Sequence, residues 1–135
     1  MAHSVGTRSL ATFLGAFFAF ALLAACSPKS PESVAKDYIT AVANKRIDEA
    51  VEYFALEDIK ENDLTAAKGK FQMVAGSQYA KIQENGGLDS VSTSLIDNED
   101  NIARVEVKMK YKNGKTRDET FKLTQESGKW KIKLK

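Results

Sequence analysis

Reactive side chains are scarce in this sequence, and the few present lie at one end. Its 135 residues hold one cysteine and one histidine, Cys26 and His3, both near the N-terminus. Cys26 is the only thiol available as a nucleophile, and it follows Leu23-Ala24-Ala25 directly at the close of an apolar run. Beyond it there is no imidazole to act as a general base and no Cys or Ser-His nucleophile system. The thiolate and imidazole ligands that zinc favours are missing there too. Carboxylates are plentiful, but no pair is placed so as to argue for acid–base work. The residue types therefore point to no enzyme, no cofactor and no metal site.

The segment before Cys26 explains the thiol. From Leu10 to Ala25 the chain carries no charge and holds Phe13, Leu14, Phe17, Phe18, Phe20, Leu22 and Leu23, after a mildly basic start with His3 and Arg8. A membrane-spanning helix needs about 20 apolar residues. This run is shorter, and Ser27-Pro28-Lys29-Ser30-Pro31 breaks it at once. A basic start, a short apolar stretch and small residues before a cut make a secretory signal. Ala24-Ala25 would serve an ordinary signal, leaving Cys26 as an odd free thiol, which an exported chain rarely keeps. The order Leu-Ala-Ala-Cys resembles instead the lipobox of bacterial lipoproteins. That resemblance implies a diacylglycerol on Cys26, cleavage just before it, and a mature N-terminus carrying three acyl chains such as palmitate. The organisation is then a signal peptide at 1–25, a lipidated N-terminus and short tether at 26–30, and one domain at 31–135. Removing residues 1–25 from the 135-residue chain leaves 110, the size of one small domain. With Cys26 acylated, no disulfide can form.

The elements that must position anything else read as helices first and strands afterwards. Ser30-Pro31-Glu32 supplies an N-cap, a proline at the first helical position and an early acid. Val34, Tyr38, Ile39 and Val42 follow at helical spacing, and Asn44 closes the segment. Ile47, Ala50, Val51 and Phe54 mark a second short helix. A third is expected from Leu64 to Glu84, capped by Asn62-Asp63 and broken near Gly69 or Gly76. After Asn85-Gly86-Gly87 the period becomes two. Val91, Thr93 and Leu95 suggest a strand, and 97–101 (Asp-Asn-Glu-Asp-Asn) an acidic loop. Ala103, Val105, Val107, Met109 and Tyr111 alternate with polar residues as a half-buried strand. Asn113-Gly114 and Ser127-Gly128 read as hairpin turns. Phe121 and Leu123 lie between them on a returning strand, and a last strand buries Trp130, Ile132 and Leu134. Helices followed by an antiparallel meander make an α+β fold.

Several of these segments together carry a family resemblance. Pro31 to Tyr38, Asn85-Gly86-Gly87-Leu88, Ala103-Arg104-Val105-Glu106-Val107, Tyr111-Lys112-Asn113-Gly114-Lys115 and Gly128-Lys129-Trp130-Lys131-Ile132 occur in that order. The sequence resembles small bacterial lipoproteins of the nuclear transport factor 2-like superfamily, catalogued as a lumazine-binding-like domain of unknown function. The resemblance implies a cystatin-like cone: N-terminal helices packed on a curved four-stranded antiparallel sheet. The interior of such a cone can hold a ligand or be filled by side chains.

Three features bear on function. From Arg104 to Lys135 there are eleven basic residues against four acidic, whereas Lys29 to Gly87 holds eight basic against ten acidic; the net charge of +2 hides this asymmetry. Arg104, Lys108, Lys110, Lys131 and Lys133 would form a basic sheet face for anionic headgroups or an acidic partner. The plainer reading is a solvated face whose lysines also guard an edge strand. Tyr38, Tyr53, Phe71, Tyr79 and Trp130 would line a ligand pocket, or simply be core. Finally, only Ser27 to Ser30 separate Cys26 from Pro31, so the domain starts within roughly 15–18 Å of its anchor. Ser27 is not the aspartate that signals inner-membrane retention in enteric lipoproteins, which favours the periplasmic leaflet of the outer membrane. An envelope location argues against nucleic acid. The expected role is non-enzymatic binding of a protein partner or envelope ligand at the membrane surface. The alternative is a small-molecule carrier or vestigial enzyme using the cone interior.

Overall fold

The computed structural model describes residues 28–134. Cys26, Ser27 and the signal segment at 1–25 lie outside the described residues, as does Lys135. Among the described residues no helix is long and apolar enough to cross a membrane.

Helix α1 spans Pro31–Ala43 and starts where the sequence places it, with the Ser33 N–H donating to the Ser30 hydroxyl at 3.2 Å. Asn44 ends it, its backbone N–H donating to the Thr40 carbonyl. Helix α2 is a single turn and a half, Ile47–Val51, and the chain leaves it in turns to Phe54. A 3-10 turn, Glu61–Asp63, leads into helix α3, Leu64–Glu84. Two expectations fail here. Asp63 makes no side-chain cap, and α3 runs unbroken through Gly69 and Gly76. Two interior glycines cost about 1 kcal/mol each against alanine. Burial of Phe71, Ala75 and Ile82 on both sides of Gly76 outweighs that, since each large apolar side chain contributes about 1.5–3 kcal/mol.

Four strands follow: β1 Leu88–Glu99, β2 Ile102–Tyr111, β3 Thr116–Glu126 and β4 Lys129–Lys133. They form one antiparallel sheet in the order β1-β2-β3-β4. Helices packed on one face of this sheet give the expected α+β cone. The expected acidic loop at 97–101 shrinks to a turn, because Asp97, Asn98 and Glu99 pair with Arg104, Ala103 and Ile102. At Ser127-Gly128 both residues take positive φ (51° and 77°), the requirement of a type I′ hairpin turn. At Asn113-Gly114 only Gly114 does, at 87°. There the Gly114 N–H donates to the Tyr111 carbonyl and the Tyr111 N–H to the Lys115 carbonyl, a type I turn with a glycine bulge.

The core lies between the sheet and the helices. β2 buries Ala103, Val105, Val107, Met109 and Tyr111, as its alternation predicts. α1 covers it with Val34, Ala35, Tyr38, Ile39, Ala41 and Val42. An aromatic cluster joins the layers: Phe54 stacks on Phe71 at 4.6 Å, and Tyr38 meets Phe54 and Phe121 edge-on at 5.2 and 5.8 Å. Trp130 is half-buried rather than buried, because it pairs with Gln125 near the end of the sheet, one rung before the Glu126–Lys129 pair that closes on the hairpin turn. The helical half is tied to the last strand by backbone. Phe54 forms a parallel bridge with Ile132, whose N–H donates to the Tyr53 carbonyl at 2.7 Å, while the Ala55 N–H donates to the Ile132 carbonyl at 2.8 Å.

A groove between the long helix and the sheet

α3 packs chiefly on the other two helices and stands away from the sheet. The gap is a groove of about 750 Å³. It opens where β4 stops short, because β4 pairs only with Lys122 to Glu126 and leaves the Thr116–Phe121 half of β3 without a second neighbour. Tyr38, Phe54, Met109, Phe121, Ile132 and Leu134 form an apolar floor, and Met73 and Val74 line the α3 side. Met73 is 76% exposed, the barest large apolar residue among those described. Around the mouth stand Lys70, Lys81 and Arg117, with Glu119 as the only carboxylate of the lining; Lys122 and Lys133 border it where β4 stops, on the outward side of their strands.

A chain of polar groups crosses the groove. The Tyr38 hydroxyl donates to Gln78 Oε1 at 2.9 Å, Gln78 Nε2 donates to Glu119 Oε2 at 3.1 Å, and Arg117 Nε pairs with Glu119 Oε1 at 2.8 Å. Burial, reinforced by the Glu119 charge, holds the Tyr38 hydroxyl well above the usual tyrosine range. Tyr38 is therefore a neutral donor at any physiological pH. Each member of the chain is thus held in place by its neighbour. Among the described residues, no three acidic side chains gather closely enough to hold a metal ion.

The five aromatics expected to line a pocket do not come together. Tyr38 alone reaches the groove. Phe71 lies in the core beneath Phe54. Tyr53 is half-buried on the α1–α2 side, near Lys29, Asp37 and Glu49, and its hydroxyl is raised mainly by burial. Tyr79 faces away from the groove, with the Lys45 ammonium 5.9 Å from its ring centre. Trp130 packs at the β3–β4 turn, outside the lining. The groove is built instead on Phe54, Met109, Tyr111 and Phe121. Alternation along β2 signalled the inward Met109 and Tyr111, but nothing in the sequence signalled the pairing of Gln78 with Tyr38 and Glu119.

The expected basic residues do share one face. Register pairs Arg104 with Lys122, Lys122 with Lys133, and Thr124 with Lys131, placing them with Lys108 and Lys110 on the sheet's outer side. Much of that charge is occupied. Arg104 pairs with Asp97, Lys108 with Glu106 at 3.4 Å and Lys133 with Asp58 at 3.9 Å, while Lys131 Nζ donates to the Glu52 carbonyl. Lys110 and Lys122 have no ion pair among the described residues.

Comparison with solved structures agrees with the architecture. A crystal structure described as a "Putative NTF2-like transpeptidase" from Campylobacter jejuni matches with a TM-score of 0.71 and 22% identity, over 79% of this chain and all of that one. A de novo designed NTF2 fold protein matches at 0.44 and 18% identity, over 80% of this chain and 87% of the design. The first of these places the chain in the NTF2-like fold and, at that identity, speaks to the fold alone. No curated protein sequence matches. The sequence profile of the family described as Domain of unknown function (DUF4878) matches residues 24–133, and the chain belongs to that family.

Proposed function

We propose that this protein is a lipid-anchored envelope lipoprotein that works without catalysis, binding a ligand at the membrane surface. The groove supplies the binding site, and its ligand is an envelope amphiphile with an apolar body and an anionic head. The observation that carries this reading is the contrast between floor and rim. The floor is aromatic and aliphatic, whereas Lys70 and Lys81 at the mouth have no ion-pair partner among the described residues. Small-molecule sites are typically apolar clefts with a few polar groups that set orientation. An enzymatic reading would want an unpaired carboxylate or tyrosine in the groove, and Glu119 and Tyr38 are both hydrogen-bonded.

Anchoring rests on Leu23-Ala24-Ala25-Cys26 and the short tether, with the outer membrane's periplasmic leaflet as the favoured site. Intact-mass measurement of the mature chain tests it: an unmodified Cys26 would end the lipoprotein reading. Ligand binding is tested with a fluorescent single-chain fatty acid, its uncharged alcohol and a lumazine-like heterocycle. The acid should bind best, and changing Lys70 and Lys81 together to Ala should weaken it several-fold in low salt. Equal binding of acid and alcohol would refute the role of the rim. Preference for the heterocycle would transfer the site to the lumazine-binding-like ligand class.

A further inference from the structure

The two edges of the sheet are treated differently. β4 has five residues, three of them lysines, which is how natural edge strands avoid pairing with other chains. β1 is twelve residues long, and from Ser90 to Ile96 it carries no charge and no proline. Among the described residues, no backbone group of that stretch bonds to another backbone group outside the β1–β2 ladder. Bulges fall only at its ends, between Leu88 and Ser90 and between Leu95 and Asp97. The run between them is regular and, except for Leu95, β-branched or small, and it is flanked by Asp89 and Asp97. Leu95 and Ile96 are 44% and 46% exposed.

α1 accounts for the exposure of Leu95. The Thr93 hydroxyl donates to the Glu32 carbonyl at 3.1 Å, so the first turn of α1 sits over Thr93. The far end of α1, at Asn44, lies beside Gly86 and Gly87. The helix therefore shields the first half of β1 and leaves Leu95 bare beyond its N-terminus. Leu95 faces the same way as its partner Val105, toward the concave side.

We propose that β1 is a self-association edge, pairing antiparallel with β1 of a second copy to make one continuous eight-stranded sheet. Charge selects the register. Centred on Thr93, the pairing would set Asp89 against the second copy's Asp97, and like charges directly opposite are destabilising. Centred on Ser92, it sets Ser90 against the second copy's Ser94 and Val91 against its Thr93, with no carboxylates opposed. A two-fold axis through Ser92 keeps both concave faces on one side. Each bare Leu95 is then flanked by the half of β1 that the other copy's α1 covers. The N-terminal ends of both α1 helices, each held at Thr93, meet near that axis on the same face. Two chains tethered by short N-terminal segments can thus share one membrane. This interface is independent of the groove.

The test uses the full chain in its own membranes. With Cys26 acylated, Ser92→Cys provides the single free thiol. Opposed Cα atoms in antiparallel strands are about 4.5–5.5 Å apart, within reach of a disulfide. Mild oxidation should yield a reducible dimer for Ser92→Cys and none for Ser127→Cys at the opposite end of the sheet. Sedimentation of the detergent-solubilised chain supplies a second measurement. The unsubstituted chain should be dimeric, Ser92→Asp and Ser92→Lys each monomeric, and an equal mixture of the two dimeric again. Equal cross-linking at both positions, or a monomeric unsubstituted chain, would overturn the proposal. A dimer unaffected by either charge at position 92 would do so as well.

Discussion

Replacing Glu126 tests how the α2–α3 connection, and with it the groove, is held in place. Glu126 is 9% exposed, and its two carboxylate oxygens accept the Leu56 N–H at 3.0 Å and the Glu57 N–H at 2.9 Å. One side chain at the end of β3 thus pins the segment that carries the chain from α2 toward α3. A hydrogen bond to a charged group contributes about 1.5–3 kcal/mol when its loss leaves a donor buried. Leu56 is half-buried, so its N–H pays most of that penalty; Glu57 is exposed, and water can replace its acceptor. Glu126→Ala should therefore destabilise the domain by about 2 kcal/mol. For a domain near 100 residues this lowers Tm by roughly 10 °C. Glu126→Gln keeps one acceptor and should lose about half as much. Urea unfolding followed by Trp130 fluorescence measures both, with the midpoint moving and the slope unchanged. If Glu126→Ala stays within about 0.5 kcal/mol of the parent, the usual range for surface substitutions, the pinning argument is wrong. Equal losses for Ala and Gln would also refute it.

Two further outcomes follow from the same reasoning. Tyr38→Phe removes the hydroxyl bonded to Gln78 and should cost about 1 kcal/mol at neutral pH. Because burial raises the Tyr38 pKa in the folded state, only the unfolded chain releases that proton near pH 10, so stability falls as pH rises past that point. Tyr38→Phe should flatten this alkaline loss in pH-dependent melts, and an unchanged alkaline limb would count against the burial. Gly69→Ala and Gly76→Ala should each raise stability by about 0.5–1 kcal/mol in the same urea assay, because an added Cβ at either site meets nothing within 4 Å. Destabilisation by either would mean that α3 is more tightly packed there than described.

Local chemistry was legible in the sequence; long-range approach was not. Ser30-Pro31-Glu32 announced α1, and strict alternation from Ala103 to Tyr111 announced β2, because each signal lies within a few neighbouring residues. Gly69 and Gly76 misled because local propensity was weighed without the tertiary burial of Phe71, Ala75 and Ile82. The acidic run at 97–101 misled for a similar reason: Arg104, supplied by the partner strand, holds Asp97 in the ladder. The groove was least legible. Tyr38, Gln78 and Glu119 are separated by 40 and 41 residues, and only the stand-off of α3 brings them to one wall. Aromatic type alone could not say that Tyr53, Phe71, Tyr79 and Trp130 would go elsewhere.

The backbone bridge between Phe54 and Ile132 also sets an order of events for the folding chain. β4 follows every other element described, yet Ile132 closes the backbone contact that ties the exit of α2 to the sheet, across a loop of almost eighty residues. Local helices and the β2–β3 hairpin can form early, since their contacts are near in sequence, but the bridge carries high contact order and must come late. A chain synthesised from its N-terminus would therefore keep its helices undocked from β4 until that strand had emerged.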